Sequence, residues 1–258
     1  MNSVANNITS QEKKWLLAEK YNGVITDVYE AECKLLEAGM PVAYLIGNIE
    51  FLGCHIDLSV KPLIPRAETE YWMDLFIKQV KEKYLDTELR NLHILDLFAG
   101  SGCIGVAAAK HLGAYVDFGE LQEQNLNQIL QNTSHNKCIT HTEIIQSDVF
   151  SNIPQKQYDF ILANPPYIDH ERETDVQSSV LKNEDHVALF AEQSGLQYVY
   201  QLIDEGSDYL KVGGEIWIEF DPWQTDLINT YLKDNTTWTH TYLRDQYKKD
   251  RVLILIKE

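Results

Sequence analysis

The chain has 258 residues, of which 44% are hydrophobic and 24% are charged, and its formal net charge is −17. This is ordinary for a soluble globular protein with one substantial α/β domain and a small appendage, or with two modest domains. No apolar stretch approaches the roughly 20 residues of a membrane span, the polar start is no signal peptide, and the four cysteines lack metal-ligand spacing, so we expect a cytoplasmic protein without a metal site.

The N-terminal third changes character near Pro41. Apolar residues recur at three- and four-residue steps over residues 10–38, with Gly23 as a break, which predicts two or three helices. Aromatic and β-branched residues with single glycines follow over residues 42–60 and predict a β-hairpin. We therefore predict a helical subdomain over residues 1–41, a hairpin bridge over 42–62 and the main domain over 63–258.

A proline-containing stretch over residues 63–70 precedes an amphipathic helix that contains Phe76 and Val80. Its composition predicts a loop. Ala67, Glu68 and Thr69 could equally form the start of that helix, and both interpretations stay open.

A strand, a small-residue turn and a helix follow in succession. The apolar run at residues 93–97 leads into Phe98-Ala99-Gly100-Ser101-Gly102, and a helical pattern begins at Cys103. Missing side chains let a ligand approach the backbone, and amides point outward at the start of a helix. With only two glycines, the turn indicates a nucleotide-type ligand weakly when it is taken alone.

Acidic residues end the next two predicted strands. Glu120 follows a strand over residues 115–119, about 20 positions after the turn, where a carboxylate can accept both hydroxyls of a ribose. We prefer it to Asp117 because of strand alternation. Asp148, near the end of a strand over residues 144–149, suits the exocyclic amine of an adenine, but a helix cap or surface turn is an equal alternative. Features that bind phosphate are few, so we expect a nucleoside cofactor without phosphates.

The apolar run over residues 160–163 stops at Asn164-Pro165-Pro166-Tyr167. Such a run is typical of a strand buried on both faces of a parallel sheet, and its carboxyl end is where ligands bind. The Asn164 side-chain carbonyl and the Pro165 backbone carbonyl are acceptors for one ligand NH2 group, and two prolines fix the backbone beforehand. Tyr167 adds a flat face for stacking. The tetrapeptide therefore suits alkylation of a planar amide or base nitrogen, although a simple Pro-Pro turn is the alternative.

The remainder alternates between helices and strands. Residues 168–185 are polar and acidic, which we interpret as a mobile loop over the site. The later helices and strands are expected at residues 195–210, 215–220, 224–232, 237–243 and 251–257. Together the elements predict a doubly wound, Rossmann-like, mostly parallel α/β sheet with an antiparallel edge.

Several motifs together resemble the HemK-type protein-glutamine methyltransferases that modify peptide-chain release factors, within the class I S-adenosylmethionine-dependent enzymes. The resemblance covers most of the chain from Pro41 onward. The matching stretches are residues 41–47 with Phe51 and Gly53, Ile64-Pro65-Arg66-Ala67-Glu68-Thr69-Glu70, residues 96–102, Asn164 to Tyr167, Glu219 with Gln224, and Asp250-Arg251. The sequence departs from the family pattern at Phe98, where a glycine is common, and at Ala67, where a proline is usual.

The resemblance implies a seven-stranded methyltransferase sheet and a role for each matching residue. Phe98, Ala99, Gly100, Ser101 and Gly102 would hold the methionine part of S-adenosylmethionine, Glu120 its ribose, and Asp148 and Val149 its adenine. Asn164, Pro165, Pro166 and Tyr167 would hold the target glutamine amide, with Asn164 also near the cofactor, and Arg66 and Glu68 would line the substrate side. The implied partner is a release factor carrying Gly-Gly-Gln, and we expect a monomer.

Two other functions remain to be weighed. The same tetrapeptide occurs in enzymes that methylate adenine or guanine amines in nucleic acid, but these need a basic groove and a recognition insertion. A binding module that keeps the fold while Phe98 blocks the cofactor is the third interpretation.

Overall fold

The computed structural model describes residues 2–138 and 142–258. The N-terminal part contains the helices and the hairpin α1 (Asn2–Glu19), α2 (Asp27–Glu37), α3 (Val42–Ile46), β1 (Asn48–Phe51) and β2 (Cys54–Asp57). Leu16, Leu36 and Leu45 form a small apolar core between the three helices. The predicted helices before Pro41 are confirmed, whereas the division of the chain into three parts stays a prediction.

The hairpin prediction was wrong for residues 42–46, which form α3. Pro41 has a φ of −58°, which suits the residue before a helix, and Gly47 has a φ of +92°, which ends the helix after little more than one turn. Tyr44 and Leu45 are buried by this turn. A five-residue helix with two buried neighbours has the same apolar pattern as a short strand.

The main domain has a seven-stranded sheet between two layers of helices. Its first half contains α4 (Ala67–Lys83), α5 (Asp86–Leu89), β3 (His93–Leu97), α6 (Cys103–Leu112), β4 (Tyr115–Glu120), α7 (Glu123–His135), β5 (Thr142–Gln146) and β6 (Tyr158–Ala163). Its second half contains β7 (Ile168–Asp169), α8 (Ser178–Asn183), β8 (Phe190–Ala191), α9 (Glu192–Gly195), α10 (Gln197–Glu205), β9 (Leu210–Glu219), α11 (Thr225–Leu232), β10 (Trp238–Arg244) and β11 (Asp250–Lys257).

The order of the strands across the sheet is β10-β11-β9-β6-β3-β4-β5. All neighbouring pairs from β9 to β5 are parallel, and β11 is antiparallel to both β9 and β10. The doubly wound sheet with an antiparallel edge is thus confirmed. Side chains alternate across it: Ile94 and Phe160 join the core under α4 and α6, whereas Leu95 and Ile161 join the core under α10 and α11.

Two element boundaries differ from the prediction. Helix α4 begins at Ala67, so the helix-start interpretation of that stretch is correct and the loop ends at Arg66. Glu68 and Glu70 stand in its first turn, where negative charge is favourable. The strand predicted over residues 144–149 ends at Gln146, because the Ser147 hydroxyl donates to the Val149 carbonyl and turns the chain.

The acidic stretch after β6 is folded into short elements. β7 pairs in parallel with β8, and between them lie a 3-10 helix (His170–Asp175), α8 and a second 3-10 helix (His186–Ala188). We call residues 168–191 the flap. No helix within residues 2–138 and 142–258 is both long and apolar enough to cross a membrane.

Candidate active site

The site lies where the strand order reverses. β3 has β4 and β5 on one side, and β6 followed by β9 on the other. Leu97, the last residue of β3, pairs with Ala163, the last residue of β6. The turn after β3 and the tetrapeptide after β6 therefore begin side by side at the carboxyl edge of the sheet, which is where open α/β sheets bind ligands.

A first cavity opens above this edge and brings together most of the residues predicted to bind the cofactor. Its lining includes Phe98, Ala99, Gly100, Ser101, Glu120, Asp148, Val149, Asn164 and Pro166. Gly102 is outside the lining and instead caps the start of α6. The strand-end residues meet here because the carboxyl ends of β3, β4, β5 and β6 share one edge.

Glu120 connects the walls of the first cavity. Its carboxylate accepts the Gly100 amide N–H at 2.7 Å, the Gln122 amide N–H at 2.8 Å and the Asn125 side-chain N–H at 3.2 Å. A carboxylate offers about four acceptor positions, so capacity remains for a further donor. Gly100 has a φ of +54° and turns its N–H toward this carboxylate, a conformation that glycine adopts at low cost.

Two buried polar atoms near this cavity have no hydrogen-bond partner among the described residues: Asp96 Oδ1 and Asn125 Oδ1. Asn125 lines the cavity beside Glu120, so its carbonyl oxygen is available to a ligand hydroxyl or amine. Asp96 lies beneath the turn, where its Oδ2 accepts the Gly105 N–H at 2.7 Å. Burial raises the pKa of Asp96 well above its ordinary value, with the nearby Glu120 charge acting in the same direction.

Phe98 adopts the left-handed conformation, with a φ of +63°. Its ring packs edge-on against Tyr198 with centroids 5.1 Å apart, and both rings lie in the cavity wall. The cavity persists beside them. Phe98 therefore forms part of one wall of this cavity, whose volume is about 90 Å³, and does not close it.

A second cavity of about 330 Å³ lies on the other side of the tetrapeptide. It is lined by Arg66, Pro165, Tyr167, Ile168, Val176, Gln177, Val180 and Leu189, and it shares Leu63, Asn164 and Ala188 with the first cavity. The tetrapeptide thus faces both ways: Pro166 faces the first cavity, Pro165 and Tyr167 face the second, and Asn164 borders both.

The Asn164 side chain is held by a buried chain of hydrogen bonds. Its Nδ2 donates to Thr69 Oγ1 at 3.3 Å, and Thr69 donates in turn to Glu219 Oε2 at 2.7 Å. Trp72 Nε1 donates to the same carboxylate oxygen at 2.8 Å, and the Tyr167 hydroxyl donates to Oε1 at 3.3 Å. Burial raises the pKa of Glu219, opposed by the bonds from Trp72 and Thr69, and burial also raises the pKa of Tyr167.

The backbone of Tyr167 is held from below by Gln224. The buried Gln224 side chain donates to the Tyr167 carbonyl and to the Ser194 carbonyl, each at 2.9 Å. Gln193 and Ser194 are both left-handed, with φ of +57° and +59°, and this turn brings Gly195 against Tyr167. The turn and Gln224 together fix the end of the tetrapeptide.

The flap is tied to the loop before α4. Arg66 donates to both oxygens of the buried Glu184 carboxylate, at 2.8 and 2.7 Å. This ion pair joins the rim of the second cavity to the end of α8. Glu68, predicted to bind substrate, lies on α4 and lines neither cavity, so its role stays a prediction.

The sequence did not indicate several residues that line the cavities or support their walls. Thr69 was identified as a possible helix start and as part of a matching stretch but was given no role of its own, and Asn125, Glu184 and Tyr198 were given none either. Asn125 had a signal, since it follows Glu120 by five positions at the start of α7. Glu184 and Tyr198 had none, because only the folded flap and α10 bring them to the cavities.

Residues 74–188 match the family model described as "Methyltransferase small domain". The release factor glutamine methyltransferase of Streptococcus pneumoniae is 31% identical over 253 residues, covering 96% of this chain and 82% of the relative. That of Francisella tularensis is 33% identical over 217 residues, covering 84% and 74%.

Among solved structures, the N-terminal domain of human METTL16, in complex with SAH, is similar in fold. The TM-score is 0.55 at 17% identity, with 80% of this chain and 76% of that chain covered. At this identity the likeness concerns the fold alone. The sequence relatives go further, since each is at least 30% identical and is covered over more than two thirds of its length. The chain therefore belongs to the release factor glutamine methyltransferase family.

Proposed function

We propose that this protein transfers a methyl group from S-adenosylmethionine to the side-chain amide nitrogen of the glutamine in the Gly-Gly-Gln motif of a peptide-chain release factor. The observation that carries the proposal is the position of Asn164 at the border of the two cavities. A substrate group that lies in the second cavity and is bound by Asn164 would face a ligand bound in the first cavity. The names and identities of the sequence relatives support the same chemistry.

The first cavity suits a nucleoside cofactor. Glu120 and Asn125 offer acceptors for ribose hydroxyls, and Asp148 and Val149 offer a carboxylate and an apolar surface for adenine. The turn over residues 98–102 would hold the methionine part. S-adenosylmethionine, when bound, supplies an electrophilic methyl group on a sulfonium sulfur, which keeps the bonding electrons as a thioether when the methyl leaves.

The tetrapeptide would orient the acceptor amide. The carbonyl oxygens of Asn164 and Pro165 would accept the two N–H groups of the glutamine side chain, and Tyr167 would pack against its plane. An amide nitrogen is a poor nucleophile because its lone pair is delocalised, so orientation and preorganised acceptors are the expected sources of rate. When the N–C bond forms, the nitrogen loses one proton to solvent.

The second cavity would receive the glutamine side chain. Val176, Val180 and Leu189 give it apolar walls, and Arg66 lies at its rim. Exposed acidic side chains of the flap, such as Glu171, Glu173 and Asp175, surround this side of the molecule and would favour a basic protein partner over nucleic acid. We further propose that the protein acts as a cytoplasmic monomer and that the helices before Pro41 take part in docking.

The test is methyl transfer from labelled S-adenosylmethionine to a release factor that carries Gly-Gly-Gln. The same factor with that glutamine changed, together with DNA and RNA, are run in parallel. Label only on the intact factor would support the proposal. Label on nucleic acid alone would refute it in favour of amine methylation of a base.

The Asn164→Ala variant tests the role of the tetrapeptide within this reaction. We expect turnover to fall by about 10²–10³-fold, the usual effect of losing one preorganised hydrogen-bonding group. Cofactor affinity, measured by calorimetry, should change little. Unchanged turnover would contradict the assigned role.

A further inference from the structure

We propose that Thr69 and Glu219 are positioning residues that fix which way the Asn164 amide faces. They hold its NH2 group toward α4 and leave its carbonyl oxygen toward the cavities. The identity of the group that donates a hydrogen bond to this carbonyl oxygen rests on the proposed function. The orientation itself is a property of the protein alone and is tested separately below.

The direction of each hydrogen bond follows from the chemistry of its members. An indole N–H only donates, so Glu219 Oε2 accepts from Trp72 without ambiguity. The Thr69 hydroxyl has one proton, and at 2.7 Å from Glu219 Oε2 it donates that proton to the carboxylate. Thr69 can therefore only accept from Asn164. The amide must turn its Nδ2 toward Thr69, at the observed 3.3 Å.

The flipped amide would place two oxygens with facing lone pairs against each other. Asn164 Oδ1 would then lie next to a Thr69 oxygen whose proton points at Glu219, and the hydrogen bond would be lost. The NH2 group would face the cavities, where it would oppose a substrate NH2 group, donor against donor. One carboxylate, two hydrogen bonds away, thus decides whether the tetrapeptide offers an acceptor.

The two positioning residues sit on rigid elements, whereas Asn164 lies in a loop. Thr69 is in the first turn of α4, and Glu219 is the last residue of β9, paired with Val252. Both are buried, at 1% exposure. Trp72 is packed against Trp217 with ring centroids 6.3 Å apart, which holds the second donor to Glu219 in place. A functional group is held most accurately when its supporting partners belong to helices and strands.

The first test measures the mobility of the Asn164 side-chain amide by ¹⁵N relaxation, in protein without substrate. The NH2 signal is assigned by its disappearance in Asn164→Asp. Thr69→Val removes the hydroxyl at nearly constant volume, and Thr69→Ser keeps it and is the matched control. Thr69→Ala is a second variant without the hydroxyl, used if the valine variant does not fold.

We expect a restrained amide in the wild type and in Thr69→Ser, with an order parameter near about 0.8, and a value below about 0.6 in Thr69→Val. An order parameter that is the same with and without the hydroxyl would overturn the proposal. This readout needs no release factor, so it stands whatever the substrate proves to be.

The second test measures turnover on the release factor. Thr69→Val should lower kcat by about 10²-fold, as a misaligned acceptor does, while KM for the release factor and Kd for S-adenosylmethionine stay within about twofold. Thr69→Ser should keep at least a third of the wild-type kcat. A purely structural role would change thermal stability and leave kcat intact, which would refute positioning. If the wild type methylates no release factor while the amide is restrained as expected, the proposed function fails and the orientation is supported.

Discussion

Gly195 has the tightest packing of any glycine against the candidate site, and its replacement tests whether the turn behind Tyr167 supports catalysis. A Cβ built at Gly195 would lie 2.1 Å from the Tyr167 carbonyl oxygen and 2.7 Å from Gln224 Nε2. Neither group can give way easily, since one is backbone and the other is a buried side chain with two hydrogen bonds. Gly195→Ala should therefore displace the tetrapeptide.

Gly213 provides a matched control. Its φ is +75°, against +76° at Gly195, and a Cβ at Gly213 would meet nothing within 4 Å. Both alanine variants carry the same cost of a left-handed residue, about 1–2 kcal/mol, which the reduced entropy of the unfolded chain offsets in part. Only Gly195→Ala adds the steric conflict with Tyr167, which costs typically about 1–3 kcal/mol, and the weakening of two hydrogen bonds, about 1 kcal/mol each.

Subtracting one variant from the other leaves about 3–5 kcal/mol that belongs to the contact with Tyr167. In a chain of this size, that corresponds to roughly 6–20 °C between the two melting temperatures. Urea unfolding gives the free-energy difference directly. Methyl transfer to a release factor should drop by about 10²-fold in Gly195→Ala, because a small displacement of an orienting group has that effect. Gly213→Ala should retain wild-type turnover.

Equal destabilisation by the two variants would refute this reasoning, since it would mean that the turn yields without moving Tyr167. Loss of stability at Gly195 with full turnover would refute the link from the turn to the tetrapeptide. The two measurements therefore test packing and function separately.

Three further predictions concern charged groups. Arg66→Ala leaves the buried Glu184 carboxylate unpaired, so hydrogen-exchange protection of α8 should fall by about 100-fold. Adding Glu184→Gln to this variant should restore at least half of that loss on a logarithmic scale, and no restoration would contradict the pairing. Burial raises the pKa of Asp96 in the folded protein, so its contribution to stability is fully present below about pH 3.8 and is lost as pH rises through the folded pKa. The melting temperature of the wild type relative to Asp96→Asn should therefore fall from pH 4 to pH 8. Melting temperatures of the two proteins that change in parallel with pH would argue against this. Glu120→Gln should weaken S-adenosylmethionine binding about tenfold, as measured by calorimetry, because hydrogen bonds to a charged acceptor become bonds to a neutral one. An unchanged affinity would show that Glu120 does not bind the cofactor.

The fold was largely predictable because its signals are local. The run that forms β6 is apolar, short and followed by two prolines, and the strands β3 and β4 have similar patterns. The parallel sheet follows from the alternation of such strands with helices. The prediction failed at α3, because five residues are too few to separate the helical period from the strand period.

The residues of the candidate site were also predictable only in part. The residues at strand ends, such as Glu120 and Asn164, could be predicted because topology alone brings them to one edge of the sheet. The residues that hold them in place could not be predicted. Thr69 and Glu219 are separated by 150 positions in the chain and meet only because α4 crosses the end of β9. Glu184 reaches Arg66 over 118 positions and depends on the path of the flap.

Five of the nine described non-glycine residues with positive φ lie beside the first cavity or behind the tetrapeptide. Of the non-glycine residues with positive φ, Lys61, Phe98 and Val149 line the first cavity, and Gln193 and Ser194 form the turn behind Tyr167. Each such residue costs about 1 kcal/mol or more, most of all the β-branched Val149, so each persists only because its surroundings hold it there. Strain kept by packing and hydrogen bonds exists before any ligand arrives. The walls of the first cavity and the support of the tetrapeptide are therefore preorganised, which is what an uncharged orienting site needs if it is to align a weakly nucleophilic nitrogen without a catalytic base.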